Sequence, residues 1–128
     1  KGKEILGAVF ANLDPKKIAE SGRPLQDVLR ENLKTATAEL EGSSIGDPTE
    51  VAKMQHILGW SLLGLGEFDL TIQMLEKSFN SYKDQYGPTH AATLVTMNNL
   101  ALGYKAAGNL EKAFSLLDES LLLHRTSY

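Results

Sequence analysis

The sequence predicts an all-α fold, a short α-solenoid of helical hairpins behind N-terminal capping helices. Three observations predict it. First, LGWSLLGLGEFDLTIQMLEKS from Leu58 lies over LALGYKAAGNLEKAFSLLDES from Leu100 at a constant offset of 42 residues, without gaps. A fixed period of this size marks stacked supersecondary units. Second, the apolar residues inside each copy recur at three- and four-residue steps, the helical period. Third, no segment sustains the apolar–polar alternation of a half-buried strand.

The elements follow in order. EILGAVFANL reads as a helix that stops before Asp14-Pro15. PLQDVLRENLKTATAEL reads as a second, with Leu25, Val28, Leu29, Leu33, Ala36 and Leu40 at helical spacing. Neither aligns with the repeat, so residues 1–46 are expected to cover its open end, as a solenoid terminus requires. Residues 47–128 hold two repeats, about 51–92 and 93–128, and the whole is expected to form one compact unit.

Asp47-Pro48-Thr49-Glu50 reads as an acid N-cap, a proline at the first helical position and a glutamate closing a capping box. Met54, Leu58, Leu62 and Leu65 form the buried face of that helix. Gly66 ends it, because glycine adopts the left-handed C-cap conformation at little steric cost. Phe68, Ile72, Leu75 and Phe79 mark the buried face of the next helix. Gly87-Pro88-Thr89 is expected to start the second copy as Asp47-Pro48 starts the first. Small residues stand where helices must approach closely, namely Gly59, Ala101 and Ala113.

Composition narrows the function classes. In 128 residues, sixteen acids against thirteen bases leave a net charge of −3. No broad positive field exists to gather nucleic acid or an anionic membrane. The chain has no cysteine, which removes thiolate zinc sites, disulfides and thiol nucleophiles. Its apolar runs fall far short of the roughly 20 residues that span a bilayer, so no membrane insertion is expected. The chain starts at Lys1 and is expected to be a fragment of a larger protein. Cytoplasmic residence is favoured, with an extracytoplasmic one if the parent has a membrane span.

Catalytic constellations are scarce. His56, His90 and His124 stand 34 residues apart, but the repeat register is 42, so they occupy three different places in it. They read as ordinary surface groups, and no metal or cofactor is expected. Gly64-Leu65-Gly66 ends a helix instead of following a strand, and no Gly-Lys-Ser/Thr run accompanies it, so it is no phosphate loop. Ser43-Ser44 has no base spaced to activate it and reads as loop. The kinase signatures are absent, and no catalytic residue is assigned.

The repeat residues resemble the tetratricopeptide repeat, whose pattern sets Leu-Gly, an aromatic, then Ala and a bulky apolar residue four later. The second copy supplies Leu100-Ala101, Tyr104, Ala113 and Leu117; the first has Leu62 at the aromatic site and Thr71 at the Ala site. The usual period is about 34 residues. The longer form here, with GPTHAATLVTMNNLA, resembles the kinesin-light-chain type. A further resemblance covers EILGAVFANLDPKKIAESGRPLQDVLRENL and GDPTEVAKMQHILGWSLLGLGE, which are similar to segments of large planctomycete serine/threonine protein kinases. That likeness implies a regulatory or partner-binding portion of a signalling enzyme.

The tetratricopeptide resemblance implies a concave groove lined by the first helix of each repeat. Trp60 lies off the Met54–Leu58–Leu62–Leu65 stripe and shares another face with Lys53, His56, Leu63 and Gly64. The same face of the second copy carries Val95, Asn98, Leu102 and Lys105, with Asn99 beside it. In such repeats the asparagine before the Leu-Ala pair bonds a bound peptide's backbone, and Asn99 matches that position; the first copy has Ile57 there. A core role for Trp60, and a bond from Asn98 or Asn99 to a neighbouring helix, stay open as alternatives. The expected partner is a peptide or protein bound in this groove. The rival expectation is a homodimer, because Leu117 and Leu121 continue an apolar stripe along the last helix.

Overall fold

The computed structural model describes residues 19–20, 22, 24–42 and 47–127. The expected helix over EILGAVFANL and the loop at Ser43-Ser44 lie outside the described residues. Among the described residues there are five helices and no strands. They are α1 (Leu25–Gly42), α2 (Pro48–Gly64), α3 (Phe68–Tyr86), α4 (Ala91–Ala106) and α5 (Leu110–Ser127). The chain divides into two compact units, one up to Gly46 and one from Asp47. In α1 the buried residues Leu33, Ala36, Thr37 and Leu40 share one face at helical spacing.

In the second unit α2 and α3 form one hairpin and α4 and α5 another, with α3 packed against both α2 and α4. Both hairpins turn the same way. Glu67 N–H donates to Leu62 O at 3.0 Å and Gly66 N–H to Leu63 O at 3.1 Å. Forty-two residues on, Asn109 N–H donates to Tyr104 O at 2.9 Å and Gly108 N–H to Lys105 O at 3.0 Å. This paired capping motif needs a left-handed residue, which Gly66 (φ 79°) and Gly108 (φ 87°) supply.

Close helix approach explains Gly59. A Cβ there would lie 2.9 Å from Leu75 Cγ and 3.2 Å from Met74 Cβ, so α2 meets α3 almost backbone to side chain. Gly103 does the same for α4, where an added Cβ would meet Thr71 Cγ2 at 3.3 Å. Ala101 and Ala113 are buried as well. Buried hydroxyls are matched by carbonyls: Ser78 Oγ donates to Ala52 O at 2.8 Å and Thr71 Oγ1 to Glu67 O at 2.9 Å.

Two expectations about the hairpins need correction. The fully buried line of α3 is Thr71, Met74, Leu75, Ser78 and Tyr82; Phe68, Ile72 and Phe79 are only partly buried. The helix lies between two neighbours, so its buried line serves both: Met74 and Ser78 meet α2, Thr71 meets α4 and Leu75 meets both, while Ile72 and Phe79 edge against the second hairpin. The start of α4 also differs from that of α2. Asp47 Oδ1 accepts Thr49 N–H at 3.0 Å with Pro48 in the first turn. On α4 the N-cap is His90, whose Nδ1 accepts Ala92 N–H at 3.1 Å, and Pro88 and Thr89 stay in the turn.

Candidate functional site

A cleft of about 470 Å³ opens beside α2, lined by Lys53, His56, Ile57, Trp60, Ser61, Tyr82 and Asn99. Its walls follow from the packing just described. Met54, Leu58 and Leu62 turn into the core. The 100° step of the helix then sends Lys53, Ile57 and Trp60 outward together. Trp60 is 48% exposed although it is the largest side chain in the chain. A ring of that size left half in water is the kind of surface that partners cover.

Across the cleft the polar groups form a relay. The Thr96 hydroxyl donates its proton to Ala92 O at 2.8 Å. Toward His56 Nδ1, 3.3 Å away, its oxygen can therefore only accept. Nδ1 thus carries the ring proton, and the bare Nε2 accepts an amide N–H from Asn99 Nδ2 at 2.7 Å. Burial pushes the pKa of His56 below its ordinary value, in keeping with a neutral ring. This bond uses one amide hydrogen of Asn99, whose side chain also carries an acceptor oxygen and a second donor hydrogen.

Four residues singled out in the sequence, Lys53, His56, Trp60 and Asn99, thus meet in one cleft. Lys53 Nζ lies 3.6 Å from Glu50 Oε1 in an exposed pair, so its charge is partly answered already. The other four, Val95, Asn98, Leu102 and Lys105, are not among its lining residues. Asn98 Oδ1 accepts the Ser120 hydroxyl at 2.8 Å, which ties α4 to α5. Val95, Leu102 and Lys105 are exposed on α4. Both asparagines therefore bond neighbouring helices, Asn99 to α2 and Asn98 to α5.

Sequence reasoning missed Ile57, Ser61 and Tyr82 as wall residues. The signal for Ile57 and Ser61 is their spacing from Lys53 and Trp60 on one helix. Nothing local signals Tyr82, which arrives from α3. A second cleft of about 360 Å³ lies among α3, α4 and α5, with Phe79, Leu100 and Leu116 at its apolar wall. There the Tyr104 hydroxyl donates to Glu76 Oε1 and Lys112 Nζ sits 5.4 Å from the Tyr104 ring centroid. Burial first, and then the Glu76 hydrogen bond and charge, raise the Tyr104 pKa to about 12.

Among the described residues no three His, Asp or Glu side chains gather as a metal would need, and no helix is long and apolar enough to cross a membrane. A family model described as tetratricopeptide repeat matches residues 50–125. No curated protein matches the chain.

Proposed function

The chain belongs to the tetratricopeptide repeat family, and from that premise we propose that the α2 cleft captures an extended peptide segment of a partner protein. Repeats of this family mediate protein–protein interaction on a non-catalytic fold. One observation carries the reading: Trp60 stands half exposed beside an asparagine that retains hydrogen-bonding capacity. Trp60, Ile57 and Tyr82 receive an apolar side chain of the peptide. Asn99 bonds its backbone, which makes recognition tolerant of sequence outside the anchor.

The test uses short peptides selected on the protein from a random displayed library. Asn99→Ala should weaken a selected peptide by about 1–3 kcal/mol with little change in melting temperature. A large loss of stability with unchanged affinity contradicts the reading and leaves Asn99 as a strut between α2 and α4.

A second reading is assembly through α5, favoured by the exposure of Phe114, Leu117, Leu121 and Leu122 along that helix. Sedimentation at several concentrations checks it. A monomer throughout counts against self-association, and a dimer abolished by Leu121→Asp supports it.

We further propose that the chain is of the kinesin-light-chain type of the repeat and forms the regulatory or scaffolding part of a bacterial serine/threonine protein kinase. The support is the sequence likeness of residues 4–33 and 46–67 to segments of such kinases. The reading frame of the parent gene decides this: a kinase domain encoded upstream of Lys1 supports it, and any other domain there sinks it.

A further inference from the structure

The hydrogen bonds around His56 fix the place of every proton among them. The Thr96 hydroxyl gives its only proton to Ala92 O, so His56 Nδ1 donates to Thr96 and Nε2 accepts from Asn99 Nδ2 at 2.7 Å. The ring therefore decides which end of the Asn99 amide is turned toward it and which end is turned away. With His56 neutral, the amide nitrogen meets the ring and the carbonyl oxygen points elsewhere. A second ring proton, taken from solvent at Nε2, sets one N–H donor against another at that short distance. Nδ1 cannot relieve the clash, because it already donates to Thr96. A half-turn of the amide about Cβ–Cγ restores the bond: Oδ1 then accepts from Nε2–H, and the NH2 group takes the place that the oxygen held.

We propose that His56 is the positioning residue of the α2 cleft and works as a proton-operated switch. Neutral, it aims the Asn99 oxygen at a backbone N–H of the bound peptide; protonated, it inverts the amide and releases the peptide. The proposal rests on the peptide reading of the cleft and adds its regulation. Acceptor and donor are not interchangeable here, since a peptide N–H that meets an NH2 group is left without its bond. The other groups around the ring leave this role to His56. On α2, Lys53 is an exposed cation paired with Glu50 at 3.6 Å. From α3 comes Tyr82, whose hydroxyl is held above its ordinary pKa by burial first and then by Tyr86 and Glu50, so it stays protonated. The residues that α4 turns to the ring, Thr96 and Asn99, carry no charge. Burial holds His56 below its ordinary value, which sets the switch on the acid side of neutrality.

Two measurements test the switch. In the ligand-free chain, nitrogen-15 NMR follows the His56 ring and the Asn99 side-chain amide from about pH 8 to about pH 5, the range in which histidines titrate. The neutral ring should carry its proton on Nδ1, and the Asn99 amide hydrogens should shift with the same midpoint as His56. A neutral ring protonated on Nε2, or an Asn99 amide unmoved through the His56 titration, overturns the proposal. The second measurement is affinity for a peptide selected at neutral pH from a displayed library lacking Asp, Glu and His, then capped at both ends so that it does not titrate. Affinity should be level above the folded His56 pKa and fall below it by up to about tenfold per pH unit, the slope of one linked proton. Circular dichroism at each pH verifies that the chain is folded. His56→Gln, whose side chain takes up no proton, should bind without pH dependence over the same interval. A level profile in the parent chain, or an unchanged fall in His56→Gln, makes the switch wrong while the peptide reading stands. If Trp60→Ala leaves the affinity intact, the peptide lies elsewhere, and the switch falls together with the cleft reading.

Discussion

The two hairpins share a turn, a register and a small-residue pattern, yet their outer helices meet different surroundings. Leu75 on α3 is wholly covered, while its counterpart Leu117 on α5 is open to water. Ser78 donates to a backbone carbonyl of α2, whereas Ser120 donates to the side chain of Asn98 on α4. His56 on α2 is held by two residues of α4, whereas its counterpart Asn98 is held by Ser120 of its own hairpin. The same repeat pattern thus specifies the hairpin in both cases, but burial comes from the neighbour. Position in the stack, more than residue type, decides what each apolar side chain is worth.

That comparison sets the largest expected effect. Leu75→Ala should cost about 2–5 kcal/mol of unfolding free energy, the range for an emptied core site. Leu117→Ala should cost about 1 kcal/mol or less, since much of its surface is already wet. Denaturant melts of the two variants measure the gap directly, and equal losses would mean that α5 is covered in solution.

Glycines of α2 supply the next contrast. Gly59→Ala should cost about 1–3 kcal/mol, because the new Cβ collides with Leu75 and Met74. Gly64→Ala, one and a half turns on, meets nothing within 4 Å and should stabilise by about 0.4–1 kcal/mol. Thermal melts of both variants, opposite in sign, test whether α2 closes on α3 at Gly59 and stands clear of it at Gly64.

The smallest effect concerns pH. Burial holds the His56 pKa in the folded chain below the 6.5 of the unfolded one, so the unfolded state takes up the proton first. The stability contributed by neutral His56 is complete above pH 6.5 and is lost as pH falls from there through the depressed folded value. His56→Asn, which installs the residue found at Asn98, should flatten this part of the pH–stability curve. An unchanged slope in the variant would assign the dependence to other groups.

Much of this architecture was legible because it is local. The helix period, the turn glycines Gly66 and Gly108 and the 42-residue offset are all carried by neighbours in sequence. The N-cap at Asp47 was equally readable, while the one at His90 was not: histidine is an uncommon cap, and Pro88 drew attention to the wrong residue. The buried face of α3 was misread because that helix has two partners, and one-sided periodicity describes a helix with one. Four cleft residues were found from the spacing on α2 and the match at Asn99. Tyr82 was not, since it enters through the α2–α3 packing, and the bond between Asn98 and Ser120 depends on a helix crossing that spacing does not encode.

The proposed recognition assigns the peptide to the cleft beside α2 and not to the matching face of α4. Trp60 and Leu102 occupy the same register position, and both are substantially exposed. Affinity for a library-selected peptide, measured by calorimetry in Trp60→Ala and in Leu102→Ala, compares them directly. Trp60→Ala should lose tenfold or more in affinity, about 1.4 kcal/mol or above, and Leu102→Ala should change little, with both variants melting near the parent chain. Retained affinity in Trp60→Ala, or a loss confined to Leu102→Ala, would contradict it.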